Sequence, residues 1–208
     1  MKINEQRWDH LCVALGLASD RNEFNRLASA YSESHRAYHT LQHLSECMEK
    51  LDWAAHEHRL QNRALAEAAL WYHDAVYRPR SSDNELKSAA WACDFLGNAG
   101  LSPKDCKFVH SLIMATCHGE KPKEYTHQFV VDIDLSILGA EAWRFAEYEQ
   151  QVRREYRWVP WFLYKKKRRE LLQHFLREPH IFNTELFYTY FERRARENLQ
   201  QSITRLNQ

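Results

Sequence analysis

Glycine and proline are scarce, with five of each in 208 residues. Hairpins and β-rich folds draw on both at their many tight turns, so this scarcity argues against them and points to helices. A charge excess is missing too: 29 Lys and Arg stand against 28 Asp and Glu, a formal net charge of +1. No bulk field recruits nucleic acid, and any anion must be caught locally. Cys12, Cys47, Cys93, Cys106 and Cys117 are odd in number and form no CxxC pair, which speaks against a disulfide framework. The polar opening MKINEQRWDH does not read as a signal peptide. No apolar run approaches the roughly 18 residues that a membrane span needs. The expectation is a cytoplasmic protein with reduced thiols and no membrane partner.

What is present suits one folded domain. Hydrophobic residues make up 44% and charged ones 27%, a balance that supports a core and excludes global disorder. The spacing predicts helices over 4–17, 22–31 and 40–58, the last on the stripe Leu41, Leu44, Met48 and Leu51. NRALAEAALWYHDAVY, apolar around most of its circumference, reads as a buried central helix. RPRSSDNE reads as a loop ending in a cap at Ser82 or Asp83, before a helix from 84 to Gly97. Ser102 and Pro103 open another helix, which Gly119 closes. Periodicity leaves QFVVDIDLSILG open between a strand and a buried helix. Helices at 141–157, 161–177 and 184–206 follow, separated by Pro160 and Pro179. The expected fold class is all-α: one domain over 1–208, with a core at about 36–140 and the helices of 141–206 packed on it.

Three segments place ionisable groups in apolar surroundings. In RAYHTLQHL, His39 and His43 stand four apart, which puts both on one face if the segment is helical. His73 and Asp74 interrupt an apolar helix, and Asp132 and Asp134 lie in VVDIDLS. Buried charge is costly unless paired or metal-bound. One shared metal centre or an internal His–Asp hydrogen-bond network would each satisfy it.

The ordered set His43, His73–Asp74 and Asp134 resembles the H…HD…D signature of the HD-domain metal-dependent phosphohydrolase superfamily. YHTLQHL, WYHDAVY, DNELKSA, DIDLSILG and REY resemble more closely a bacterial family of predicted HD-superfamily phosphohydrolases, over most of the chain. The resemblance implies a single HD-like helical bundle that cleaves a phosphate ester of a small molecule, a nucleotide first among the candidates, with metal-activated water. It implies His43, His73, Asp74 and Asp134 as ligands of one or two divalent transition ions, with Mn, Fe, Zn, Co and Ni all compatible with nitrogen and oxygen donors. By position His39 resembles a general acid and His43 a ligand; the reverse order is the alternative. IDLS selects Asp134 over Asp132, which is left as an outer-shell partner or a helix-start residue.

Further residues carry two readings each. His118 binds a second metal or the phosphate, or caps a helix; Asn84 and Glu85 line the pocket, Glu85 with a catalytic role, or sit in a first helical turn. Tyr77 faces the mouth of the site or the core. Arg153 or Arg154 supplies a phosphate-binding guanidinium. Arg194, Arg196 and Asn198 are ambiguous in the same way. The run 165–169, KKKRR, reads as a solvated face rather than an RNA or polyphosphate site. The aromatic segments WVPWFLYKKK and ELFYTYFERR pack on the core, form a lid, or join two copies in a homodimer. Two other functions compete: a di-iron oxygenase, which would need further ligands such as His110 and His118, and a nucleotide-binding module without catalysis.

Overall fold

The structure, a computed structural model, describes residues 3–57, 60–119 and 121–207. Every regular element among them is helical, so the fold is all-α. The chain forms two compact units, Met1–Ile133 and Asp134–Gln208. No helix among the described residues is long and apolar enough to cross a membrane.

The first unit contains α1 (Glu5–Ala14), α2 (Arg21–Ala30), α3 (Leu41–Glu57), α4 (Arg63–Tyr72), α5 (Asn84–Asn98), α6 (Pro103–Ala115) and α7 (Tyr125–Leu135), whose last turn crosses the unit boundary. Local capping starts several of them: Asn4 accepts from the Arg7 N–H, Asp20 from Asn22 and Glu23, and Ser102 from Asp105 with Pro103 in the first turn. α4 is the central helix. Every residue from Leu65 to Tyr72 is buried, and α1, α3, α5 and α6 pack around it. Its one acid, Glu67, takes a 2.8 Å hydrogen bond from Arg7, which also bridges to Asp52 at 2.7 Å. The pairing answers the cost of burying a carboxylate.

Three local expectations need correction. α6 ends at Ala115 with Thr116 as its cap, short of the Gly119 expected to close it. α4 stops at Tyr72 instead of running through Tyr77, so His73 and Asp74 end the helix rather than interrupt it. Tertiary donors explain the stop: the Tyr31 hydroxyl donates to the Trp71 carbonyl and accepts from the Asp74 N–H, at 3.1 and 3.3 Å. Arg36 takes the carbonyls of Asp74 and Ala75. The helix of Gly97 continues one residue further, and it is Gly100, with φ of +107°, that turns the chain. QFVVDIDLSILG resolves as helix: it lies in α7 and a 3-10 turn, Ser136–Gly139.

The second unit contains that turn, α8 (Ala142–Glu155), α9 (Trp161–Arg177) and α10 (Glu185–Asn207). Gly139 lies against α10 so closely that an added Cβ would sit 2.7 Å from Phe191 Cβ. The three polar residues left ambiguous on α10 serve the fold. Asn198 donates to the carbonyls of Leu138 and Ala140, Arg194 to Gly139, and Arg196 to Leu176, Glu178 and Pro179. Within the basic run, Arg168 departs from the solvated-face expectation: it is buried and bonded to Glu149. Phe187 and Phe191 of the aromatic segment are core, whereas Trp158, Trp161 and Phe162 are exposed.

Candidate metal centre

Three chain segments converge at the carboxyl end of α4. α3 brings His43 and Cys47, one turn apart on the stripe that buries Leu44, Met48 and Leu51. α4 brings His73 as its last cap, followed by Asp74. α7 is one continuous helix, so the backbone that buries Phe129, Val130 and Ile133 in the first unit also sets Asp134 in its last turn. One potential ligand atom each from His43, Cys47, His73 and Asp134 lies within 4.8 Å of the other three. This group could hold a metal ion.

Asp74 completes a tighter triangle. His43 Nε2 and His73 Nε2 are 3.1 Å apart, and Asp74 Oδ2 lies 3.4 Å from the first and 3.1 Å from the second. Donors bonded to one ion at about 2.1 Å stand about 3.0 Å apart at octahedral and about 3.4 Å at tetrahedral angles. The triangle therefore fits an ion. The Nδ1 of His73 lies 2.7 Å from the Leu70 carbonyl, which can only accept, so Nδ1 carries a proton and Nε2 is the nitrogen that faces the centre. A lone pair and a carboxylate at 3.1 Å repel unless positive charge lies between or beside them, whether a proton or a metal ion. Burial alone would push the Asp74 carboxyl up, but the His73 and His39 imidazoles and hydrogen bonds from His43 and His73 hold it well below the usual carboxylate range.

His39 is not on the helix that carries His43. It occupies the turn before α3, so the shared-helical-face argument does not apply to it. Its position comes from packing. The ring stacks on Tyr77 at 4.0 Å between centroids and lies 6.1 Å from the His43 ring, half-buried at the edge of the centre. Tyr77 itself is buried, and its carbonyl lies 2.8 Å from His35 Nε2.

The guanidinium of Arg36 binds the surrounding loops together. Fully buried, it donates to the carbonyls of His39 at 3.1 Å, Asp74 at 2.7 Å and Ala75 at 2.9 Å, and to Glu33 at 3.1 Å. It sits between the rings of Tyr31 and Tyr77, 5.3 and 5.5 Å from their centroids. Ser88 of α5 adds a hydrogen bond to the Val76 N–H.

The other expected residues take varied positions. Asn84 clamps the backbone of Arg78, accepting from its N–H at 3.0 Å and donating to its carbonyl at 3.1 Å. Glu85 stands in the first turn of α5; burial holds the Cys117 thiol above its usual range, and the charge of Glu85 adds to this. His118 lies exposed in the turn after α6, with φ of 53°, and His110 is half-buried on α6; neither belongs to the four-residue group. Asp132 is fully buried on α7 but is absent from the group, since two residues along a helix turn a side chain by about 200°. Arg153 donates to the carbonyls of Tyr156 and Val159 and packs over Trp161 and Tyr164, while Arg154 is exposed. Two residues were missed from sequence. Cys47 carried a readable signal, four after His43 on the same helix. Arg36 carried none.

No protein-family model matches the chain, and no curated protein or solved structure matches it significantly.

Proposed function

We propose that this chain is a metal-dependent phosphohydrolase that cleaves a phosphate ester of a small molecule, with nucleotides as the substrate class. The observation that carries the reading is the convergence of His43 Nε2, His73 Nε2 and Asp74 Oδ2 within 3.1–3.4 Å, with His73 Nδ1 turned away to the Leu70 carbonyl. The resemblance of these residues to the H…HD…D signature supplies the reaction class.

His43, His73, Asp74 and Asp134 would hold the ion. Bound there, a divalent transition ion supplies Lewis acidity, lowering the pKa of water and offsetting charge on phosphoryl oxygens. Cys47, with Sγ 3.7 Å from His43 Nε2, adds a soft donor beside it and tilts the preference toward zinc or iron. The chain's own residues do the rest. Asp74 orients the attacking water through its carboxylate. His39 holds a proton for the leaving-group oxygen, its ring fixed by the Tyr77 stack. Arg36 positions both through their backbones. Arg154 is the guanidinium of the REY segment that remains exposed for a phosphate, Arg153 being bonded to two carbonyls.

The test is elemental analysis of the purified and reconstituted protein, paired with phosphate release from a nucleotide panel. Wild type is expected to hold one or two transition ions. His73→Ala loses them, and His39→Gln keeps them while turnover falls by about 10²–10⁴. Wild type that binds no metal after reconstitution overturns the reading and leaves a structural hydrogen-bond network.

A further inference from the structure

The first unit carries a second recess of a different chemistry. It is a cavity of about 570 Å³ walled by α2, by residues 75–78 and by Trp91 of α5. That volume lies within the range of about 300–1,000 Å³ that small-molecule sites occupy. None of His39, His43, His73, Asp74 and Asp134 lines it.

Its walls combine cations with a flat aromatic surface. Arg26 and Arg78 both line the cavity, with side chains 63% and 65% exposed, so their guanidiniums are open to an incoming ligand. Arg26 bonds Glu23 through one nitrogen at 2.7 Å and lies over the Trp91 ring at 4.9 Å. Arg78 has a long ion pair, 3.8 Å, with Glu33. Glu33 is itself held at 3.1 Å by the buried Arg36. Among the residues that line the cavity, two guanidiniums thus stand against one carboxylate, Glu33, and positive charge is left over at its wall. The indole of Trp91 is fixed in place: its N–H donates to the buried Glu23 at 2.6 Å, which the Tyr72 hydroxyl holds from the other side at 2.9 Å. Asn25 and Ser29, one turn apart on α2, add neutral donors and acceptors to the same wall.

Guanidiniums recognise phosphate by paired charge-assisted hydrogen bonds, and a rigid indole offers a platform for a planar ring. We propose that this cavity binds a phosphorylated ligand bearing a planar aromatic ring, a nucleoside monophosphate in chemical class. Arg78 takes the phosphate, the stacked pair of Arg26 on Trp91 offers its planar, cationic surface to the ring and the phosphate's edge, and Asn25 and Ser29 bond the hydroxyls. The proposal does not rest on the metal-dependent reading. An occupant would nonetheless touch residues 75–78, the direct continuation of His73–Asp74, whose Tyr77 ring lies against His39.

The test is equilibrium binding of AMP to the full chain stripped of metal by a chelator, with adenosine and inorganic phosphate as separate probes. AMP is expected to bind, adenosine at least tenfold more weakly, and phosphate to compete with AMP. Arg26→Gln and Arg78→Gln each weaken AMP binding about tenfold or more. Arg193→Gln, which removes an exposed charge on α10, leaves it unchanged. Arg26 helps hold the buried Glu23, so Arg78→Gln is the variant that tests the site without that burden. Failure of AMP to bind the metal-free protein, equal binding of adenosine and AMP, or wild-type affinity in Arg78→Gln each overturns the proposal. A protein that binds AMP in this way but never takes up metal keeps this site and loses the hydrolase reading.

Discussion

Replacing Arg36 by lysine tests how the candidate centre is held together. The guanidinium uses three nitrogens on four acceptors: Nε on Glu33, one terminal nitrogen on the carbonyls of His39 and Asp74, the other on that of Ala75. A lysine keeps the charge but brings a single nitrogen, which cannot span that arc, so about two of the acceptors lose their donor. A buried acceptor left without a donor costs about 1–3 kcal/mol. The sum, about 2–6 kcal/mol, is a large part of the about 5–15 kcal/mol by which folded proteins exceed unfolded ones. With a urea dependence of about 2 kcal/mol per molar, a loss of about 3 kcal/mol moves the midpoint down by about 1.5 M. Urea unfolding of the chelated protein, followed by far-ultraviolet circular dichroism, measures this directly. Metal affinity should fall in parallel by at least tenfold, because Arg36 holds the backbone of Asp74, a proposed ligand. A midpoint within about 0.3 M of wild type would refute the reasoning: the loops around the centre would then hold their shape without Arg36.

Gly139→Ala places a methyl 2.7 Å from Phe191 Cβ and 2.8 Å from its carbonyl oxygen, and overpacking of this kind costs about 1–3 kcal/mol. Thermal unfolding should show a lowered midpoint, while Gly119→Ala, with nothing within 4 Å, should show little change. Asp52 gives a pH signature: burial alone would raise its pKa, but Arg7 and Arg63 hold it below the ordinary 3.8. Its stabilising contribution is complete above about pH 4 to 5 and is lost as pH falls through the lowered value. Asp52→Asn should therefore reduce stability at pH 7 and flatten the acid side of the stability profile; an unchanged acid slope in chemical denaturation would contradict this.

The helices were readable where local chemistry marks their ends. Ser102 caps α6 as expected, Asp83 stands at the N-cap of α5 without a side-chain cap bond, and the breaks at Pro160 and Pro179 fall between α8, α9 and α10. Periodicity also found the buried stripe of α3 and the apolar circumference of α4. It failed where the decisive partner lies far along the chain. α4 ends at Tyr72 because Tyr31 and Arg36, 40 and 38 residues away from the Trp71 and Asp74 carbonyls they take, replace its next helical bonds. VVDIDLS was undecided between strand and helix because a short apolar run suits either; the IDLS resemblance had singled out Asp134 over Asp132, and α7 places Asp134 in the four-residue group.

The candidate centre divides along the same line. The sequence by itself determined an all-helical chain, because scarce glycine and proline, capping residues and a 3.6-residue apolar period are local properties that each segment carries alone. It also marked His43, His73, Asp74 and Asp134 as groups whose burial needs compensation. The tertiary structure decided which atoms converge. It moved His39 off the α3 helix and onto Tyr77, brought Cys47 beside His43, turned His73 Nε2 inward through the bond of Nδ1 to the Leu70 carbonyl, and set Arg36 across three backbone carbonyls. Those outcomes depend on distances between segments that are tens of residues apart, and a local pattern does not encode such distances.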